Sequence, residues 1–131
     1  PLHLPAAEGR IADGCFDPLH VGHVRYLFEA ALLGPLFVNV ADDAAIEAKG
    51  RHPFQTRAER IETLRALRVV TAVTAEDLAT IIRTHKPWWL VKGQDWEGRL
   101  PRHVIAACQE AGTRIHYTDT VTRPSSERLA G

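Results

Sequence analysis

The chain has 131 residues but no methionine, only two cysteines, no net charge and no long apolar run. Each shortage excludes something. Two thiols, Cys15 and Cys108, are too few for the disulfide framework of a small secreted scaffold, so a reducing, cytoplasmic compartment is the simplest expectation. Sixteen Lys and Arg balance sixteen Asp and Glu, with no basic stripe, which argues against nucleic acid and anionic membrane as partners. No stretch approaches the ~20 apolar residues that span a bilayer, and no signal peptide is visible. With Pro1 first and methionine absent, an initiator residue or a longer upstream segment is expected to lie outside this sequence.

What is present is an ordinary globular composition, 45% hydrophobic and 24% charged. Residues 1–131 are expected to form one domain that buries roughly two thirds of its unfolded surface. Short apolar runs alternate with helical patterns. Strands are predicted around residues 10–13, 36–41, 69–73, 88–92 and 113–117. Leu36-Phe-Val-Asn-Val-Ala41 is nearly continuous, as a strand covered on both faces requires. Between them, Val24, Leu27, Phe28, Ala31 and Leu32 recur at helical spacing and stop near Gly34-Pro35. A short helix is expected over 43–48. Thr56-Arg-Ala-Glu59 has capping-box form ahead of a helix carrying Ile61, Leu64 and Leu67. Leu78, Ile81 and Ile82 mark a fourth helix, and Pro101 and Gly112 bracket a fifth. This alternation predicts an α/β, doubly wound, Rossmann-like domain with a five-stranded parallel sheet. Ligands of such sheets bind beyond the carboxyl ends of the strands, near the switch in strand order.

Residues 13–23, Asp-Gly-Cys-Phe-Asp-Pro-Leu-His-Val-Gly-His, occupy that position after the first strand. His20 and His23 fall on one side of the first helical turn and lean toward the helix N-terminus, where free N–H groups and the positive dipole favour phosphate. Cys15 with His20 and His23 could instead supply three zinc ligands, but no fourth stands at a familiar spacing. The run resembles the Gly-x-Phe-Asp-x-x-His-x-Gly-His motif of the nucleotidyltransferase superfamily, matching at Gly14, Phe16, Asp17, His20, Gly22 and His23.

The resemblance covers nearly the whole chain. Asp42 through Gly50, Pro53 and Arg57-Ala-Glu-Arg60 are similar to the second family block, in which a basic loop leads into a helix. Val91-Lys-Gly-Gln-Asp95 resembles the heptose-phosphate adenylyltransferases, and Asp95-Trp-Glu-Gly-Arg99 is similar to a loop of the glycerol-3-phosphate cytidylyltransferases. Thr122-Arg-Pro-Ser-Ser-Glu127 stands where the family has a phosphate-binding helix start, with Glu127 in place of Thr and Thr120 in place of an Arg of some members.

The resemblance implies transfer of a nucleotidyl group from a nucleoside triphosphate to a phosphorylated polyol or sugar, with release of pyrophosphate. CTP and glycerol 3-phosphate are the favoured pair, and ATP with heptose 1-phosphate the alternative. A catalytically silent nucleotide-binding module is the competing class. His20 and His23 are the implied transition-state donors, and Lys49 and Arg51 the clamp on the outer phosphates. Gly14, Cys15, Phe16, Asp17, Gly22, Arg57, Lys92, Gly93, Asp95, Ser125 and Ser126 complete the implied nucleotide and phosphate site. Trp96 is a candidate for base stacking, which burial would explain equally well. Mg²⁺ is expected on the triphosphate oxygens rather than in a protein cage, and relatives commonly form homodimers. The other basic residues of the third helix, Arg60 among them, read as a charged solvent face.

Overall fold

Every predicted strand joins a single parallel sheet. The computed structural model describes residues 9–32 and 34–119. Its strands are β1 (Arg10–Gly14), β2 (Leu36–Val40), β3 (Ala72–Thr74), β4 (Trp89–Lys92) and β5 (Arg114–Tyr117), in the order β3-β2-β1-β4-β5. Helices α1 (Val21–Ala30), α2 (Asp43–Glu47), α3 (Arg57–Arg65), α4 (Leu78–His85) and α5 (Arg102–Ala111) connect them, and Gln94–Trp96 forms a single 3-10 turn.

Strand alternation sends side chains to two cores. Ile11, Phe37 and Leu90 face Ile81 and Ile82 of α4 and Val104, Ala107 and Cys108 of α5. Their neighbours Ala12, Val38 and Val91 point the other way, toward Tyr26 and Leu27 of α1 and Leu64 of α3. Leu27, Leu64 and Ile82 are fully buried, each worth roughly 1.5–3 kcal/mol relative to exposure. All of β2 is buried, which explains its unbroken apolar run. Cys108 is a small core residue whose burial pushes its thiol up. No helix among the described residues is long and apolar enough to cross a membrane.

Three expectations need correction. The third strand is Ala72–Thr74 and not 69–73, because the chain leaves α3 through a turn in which the Val70 amide donates to Leu67 and Thr71 only then bonds β2 at Leu36. Helix α1 ends at Ala30, before Gly34-Pro35. Arg60 is not on a solvent face: it is fully buried, and its guanidinium donates to the carbonyls of Cys15 (3.0 Å) and Ala41 (2.9 Å) and to the Asp43 carboxylate (2.7 Å). Helical spacing cannot distinguish such an arginine from its exposed neighbours, since its partners come from two other segments.

The sheet reverses its winding between β1 and β4, which pair directly through Arg10–Trp89, Ile11–Leu90 and Ala12–Val91. Their carboxyl ends, Gly14 and Lys92, open onto the same crevice.

Candidate active site

A cleft of about 340 Å³ lies beyond those two strand ends. Of the residues singled out from the sequence, Gly14, Cys15, Phe16, Asp17, His23, Lys49, Arg51, Lys92, Gly93 and Asp95 line it, together with Trp96. Sequence reasoning missed Asp13 and Tyr26, which also line it. Ser125 and Ser126 lie outside the described residues.

His20 is the N-cap of α1, with extended backbone, and its Nδ1 accepts from the Gly22 amide at 3.1 Å. His23, at the third helical position, accepts the His20 amide on its own Nδ1 at 3.3 Å. Two imidazoles thus fill the places that Ser or Thr and Glu fill in an ordinary capping box. An Nδ1 that accepts a backbone N–H carries no proton, so each neutral ring holds its proton on Nε2. Capping therefore turns both rings into donors with a fixed tautomer. The rings stack at 3.7 Å between centroids, and the Phe16 ring meets His23 edge-on at 5.1 Å. Phe16 holds this wedge in the left-handed region (φ 52) while buried, at a cost of order 1–3 kcal/mol. A Cβ at Gly14 would lie 3.1 Å from that ring. Gly22 is buried at the start of α1 and, like His20, is not among the residues that line the cleft.

Asp17 lines the cleft, but its carboxylate is engaged within the protein. It is 1% exposed. Its carboxylate accepts from Arg51 Nη1 (2.7 Å) and from the amides of Phe54 (2.9 Å) and Gln55 (2.8 Å), and its carbonyl accepts from Arg51 Nη2 (2.8 Å). Asp17 thus forms a latch that ties the loop after α2 to the histidine motif at the edge of the cleft. Arg51 is the other half of that latch and stacks over the Phe54 ring at 4.7 Å, so its fork is already occupied. Lys49 is the cation this loop delivers to the cleft, its Nζ 3.5 Å from Cys15 Sγ.

Burial raises the Asp17 carboxyl, but the Arg51 hydrogen bond and the two amides outweigh it and hold the group below its ordinary value of 3.8. A depressed carboxylate stabilises the fold above its unfolded pKa, and that contribution is lost as pH falls through the folded value. The melting temperature is therefore expected to fall more steeply below pH ~4 in the native protein than in Asp17→Asn, whose uncharged amide has no proton to take up. Equal slopes in melting curves collected from pH 7 to pH 3 would remove Asp17 as the latch.

Arg57 is not brought to the cleft either, because its Nη2 donates to the Val40 carbonyl at 2.7 Å and closes the end of β2. Lys92 is the buried last residue of β4, and its Nζ lies 4.3 Å from the Trp96 ring centre. A Cβ at Gly93 would stand 2.7 Å from Oδ1 of the exposed Asp95 side chain, which would have to swing aside. Tyr26 donates its hydroxyl to the Val91 carbonyl and accepts the Asp13 amide at 3.3 Å. Burial, then the Asp13 charge, pushes its pKa far above the ordinary value, so it stays a neutral strut. Cys15 Sγ faces Lys49 Nζ. Among the described residues no group of three or more His, Cys, Asp or Glu could hold a metal ion.

A half-Rossmann sheet whose switch point is roofed by a His-x-Gly-His helix start defines a nucleotidyltransferase. The chain belongs to the cytidylyltransferase-like family, whose model matches residues 11–124. It is 38% identical to the bifunctional protein HldE of Citrifermentans bemidjiense, over 89% of this chain and 25% of that protein. It is 45% identical to HldE of Nitrosococcus oceani, over 72% of this chain and 22% of that protein. The chain thus spans about a quarter of the length of the curated relatives it matches. Among solved structures, a lipopolysaccharide core biosynthesis protein from Thermoplasma volcanium superposes with a TM-score of 0.71 at 24% identity, covering 89% of this chain and 98% of that one. That likeness supports the fold.

Proposed function

We propose that this domain transfers the adenylyl group of ATP to a phosphorylated sugar of the heptose 1-phosphate type. An acceptor phosphate oxygen attacks the α-phosphorus, the new P–O–P bond forms, the bond from the α-phosphorus to the bridging oxygen breaks, and pyrophosphate leaves. The observation that carries this reading is the pair of capped imidazoles at the mouth of α1, with His23 and Lys49 in one cleft. Such a reaction needs two anions brought together and charge on phosphate oxygens stabilised in flight, without a covalent enzyme intermediate. His23 donates through Nε2 from the cleft wall, and His20, stacked on it at 3.7 Å with its Nε2 buried, joins it as a donor when its ring turns toward the bound phosphate. Lys49 neutralises the leaving pyrophosphate.

Mg²⁺ fits this arrangement as a companion of the triphosphate. Asp17 is engaged by its latch, and Asp95 is a carboxylate on the cleft wall from which a hard cation could take an oxygen. When bound, the ion would lower the charge of the phosphates. The sequence alone leans toward CTP and glycerol 3-phosphate. The HldE relatives, matching over most of the chain, and the Val91-Lys-Gly stretch support the adenylyl reading better.

The test offers each of four triphosphates with a panel of phosphorylated sugars and alcohols and measures pyrophosphate. Release is expected with ATP and a sugar 1-phosphate. Release only with CTP and glycerol 3-phosphate would move the protein to the other branch, and triphosphate binding without release from any acceptor would make it a silent module. Lys49→Ala is expected to cut turnover by roughly 10–100-fold, as loss of a charge on the leaving group does.

A further inference from the structure

Asn39 sits near the end of β2, 1% exposed, and does not line the cleft. An amide there interrupts an apolar strand and needs a reason. All four of its hydrogen-bonding positions are used. Its Nδ2 donates to Asp13 Oδ1 (3.1 Å) and to the Glu76 carbonyl (2.8 Å), while its Oδ1 accepts from the Thr74 hydroxyl (2.8 Å) and the Glu76 amide (3.1 Å). A flipped amide would set oxygen against oxygen at Asp13 and Glu76, so one orientation alone is allowed.

The residue it points at is the cleft carboxylate that sequence reasoning missed. With Oδ1 of Asp13 held by Asn39, Oδ2 is turned to Lys92 Nζ at 3.4 Å, and the Asp13 carbonyl lies at the same distance. Lys92 is 4% exposed, so its side chain takes its polar partners from the protein, here the two Asp13 oxygens. None of its contacts is short, so the ammonium is compensated but not locked in a tight pair.

We propose that Asn39 is a positioning residue: by fixing the Asp13 carboxylate, it holds Lys92 aimed into the nucleotide cleft. The chain Thr74–Asn39–Asp13–Lys92 joins the ends of β3, β2, β1 and β4 across the crevice. Asn39 acts only through Asp13. This role rests on the cleft being the triphosphate site proposed above, and it is read by binding so that it can fail separately from the transfer activity.

The experiment is a double-mutant cycle on ATP affinity, measured by calorimetry on Asn39→Ser, Asp13→Asn and the double variant. Asn39→Ser is expected to weaken ATP about tenfold, and to add less than twofold on top of Asp13→Asn. Thr74→Val serves as the control: it removes a bond to the far side of the same amide and should lower the melting temperature while ATP affinity stays within twofold. Should Asn39→Ser prove too unstable, the near-isosteric Asn39→Asp sets two carboxylates against each other and should weaken ATP at least as much. Fully additive losses, wild-type affinity in Asn39→Ser or Asn39→Asp, or an equal loss in Thr74→Val would overturn the assignment. A native protein that binds ATP but releases no pyrophosphate would sink the transfer activity and leave the positioning role standing. Failure of the native protein to bind ATP would overturn both.

Discussion

Replacing His23 with alanine is expected to lower turnover by at least ~10²-fold, the usual cost of a lost transition-state donor. The structure adds a sharper version at His20. Because His20 Nδ1 caps α1, alanine removes a cap and a donor together. Asparagine keeps an acceptor at the N-cap, where it is among the best residues, yet offers no Nε2–H at the distance of the ring. His20→Asn should thus melt within about 1 kcal/mol of the native protein while losing turnover nearly as fully as His20→Ala. Pyrophosphate release and thermal melts on the same preparations decide the matter. Wild-type turnover in His20→Asn would show that the imidazole is needed only to start the helix.

The largest effect on stability is expected at Arg60. Its fully buried guanidinium supports the Cys15 and Ala41 carbonyls and the Asp43 carboxylate, tying the turn after β1 to the end of β2 and the start of α2. Arg60→Ala leaves two carbonyls without their donors and opens space around them, at about 3–5 kcal/mol. For a chain of this size that lowers the melting temperature by on the order of 10 °C or more. Arg60→Lys keeps the charge but has one ammonium where three acceptors are spread, so it should recover only part of the loss. Full recovery by lysine would mean that charge, rather than the forked geometry, holds the two turns.

Much of the architecture was legible because it is written in local patterns. The five strands, the fifth helix between Pro101 and Gly112 and the Thr56 capping box follow from spacing and turn residues in contiguous sequence. What escaped has non-local causes. Arg57 read as a phosphate ligand and Arg60 as part of a solvent face, yet one closes the end of β2 and the other lies in the core. Asp17 carries the family motif, but its carboxylate belongs to a loop nearly forty residues downstream. Asp13 drew no notice because its partners, Asn39 and Lys92, come from β2 and β4.

The sequence by itself determined the class of the fold, the His-x-Gly-His helix start and its place on the carboxyl rim, since periodicity and short motifs are properties of neighbouring residues. Only the tertiary structure decided which charges remain available to a substrate. Arg51 is spent on Asp17, Lys92 is compensated by Asp13, and Lys49 reaches the cleft beside Cys15. Charge compensation depends on distances between segments far apart in the chain, and those distances exist only once the sheet has assembled.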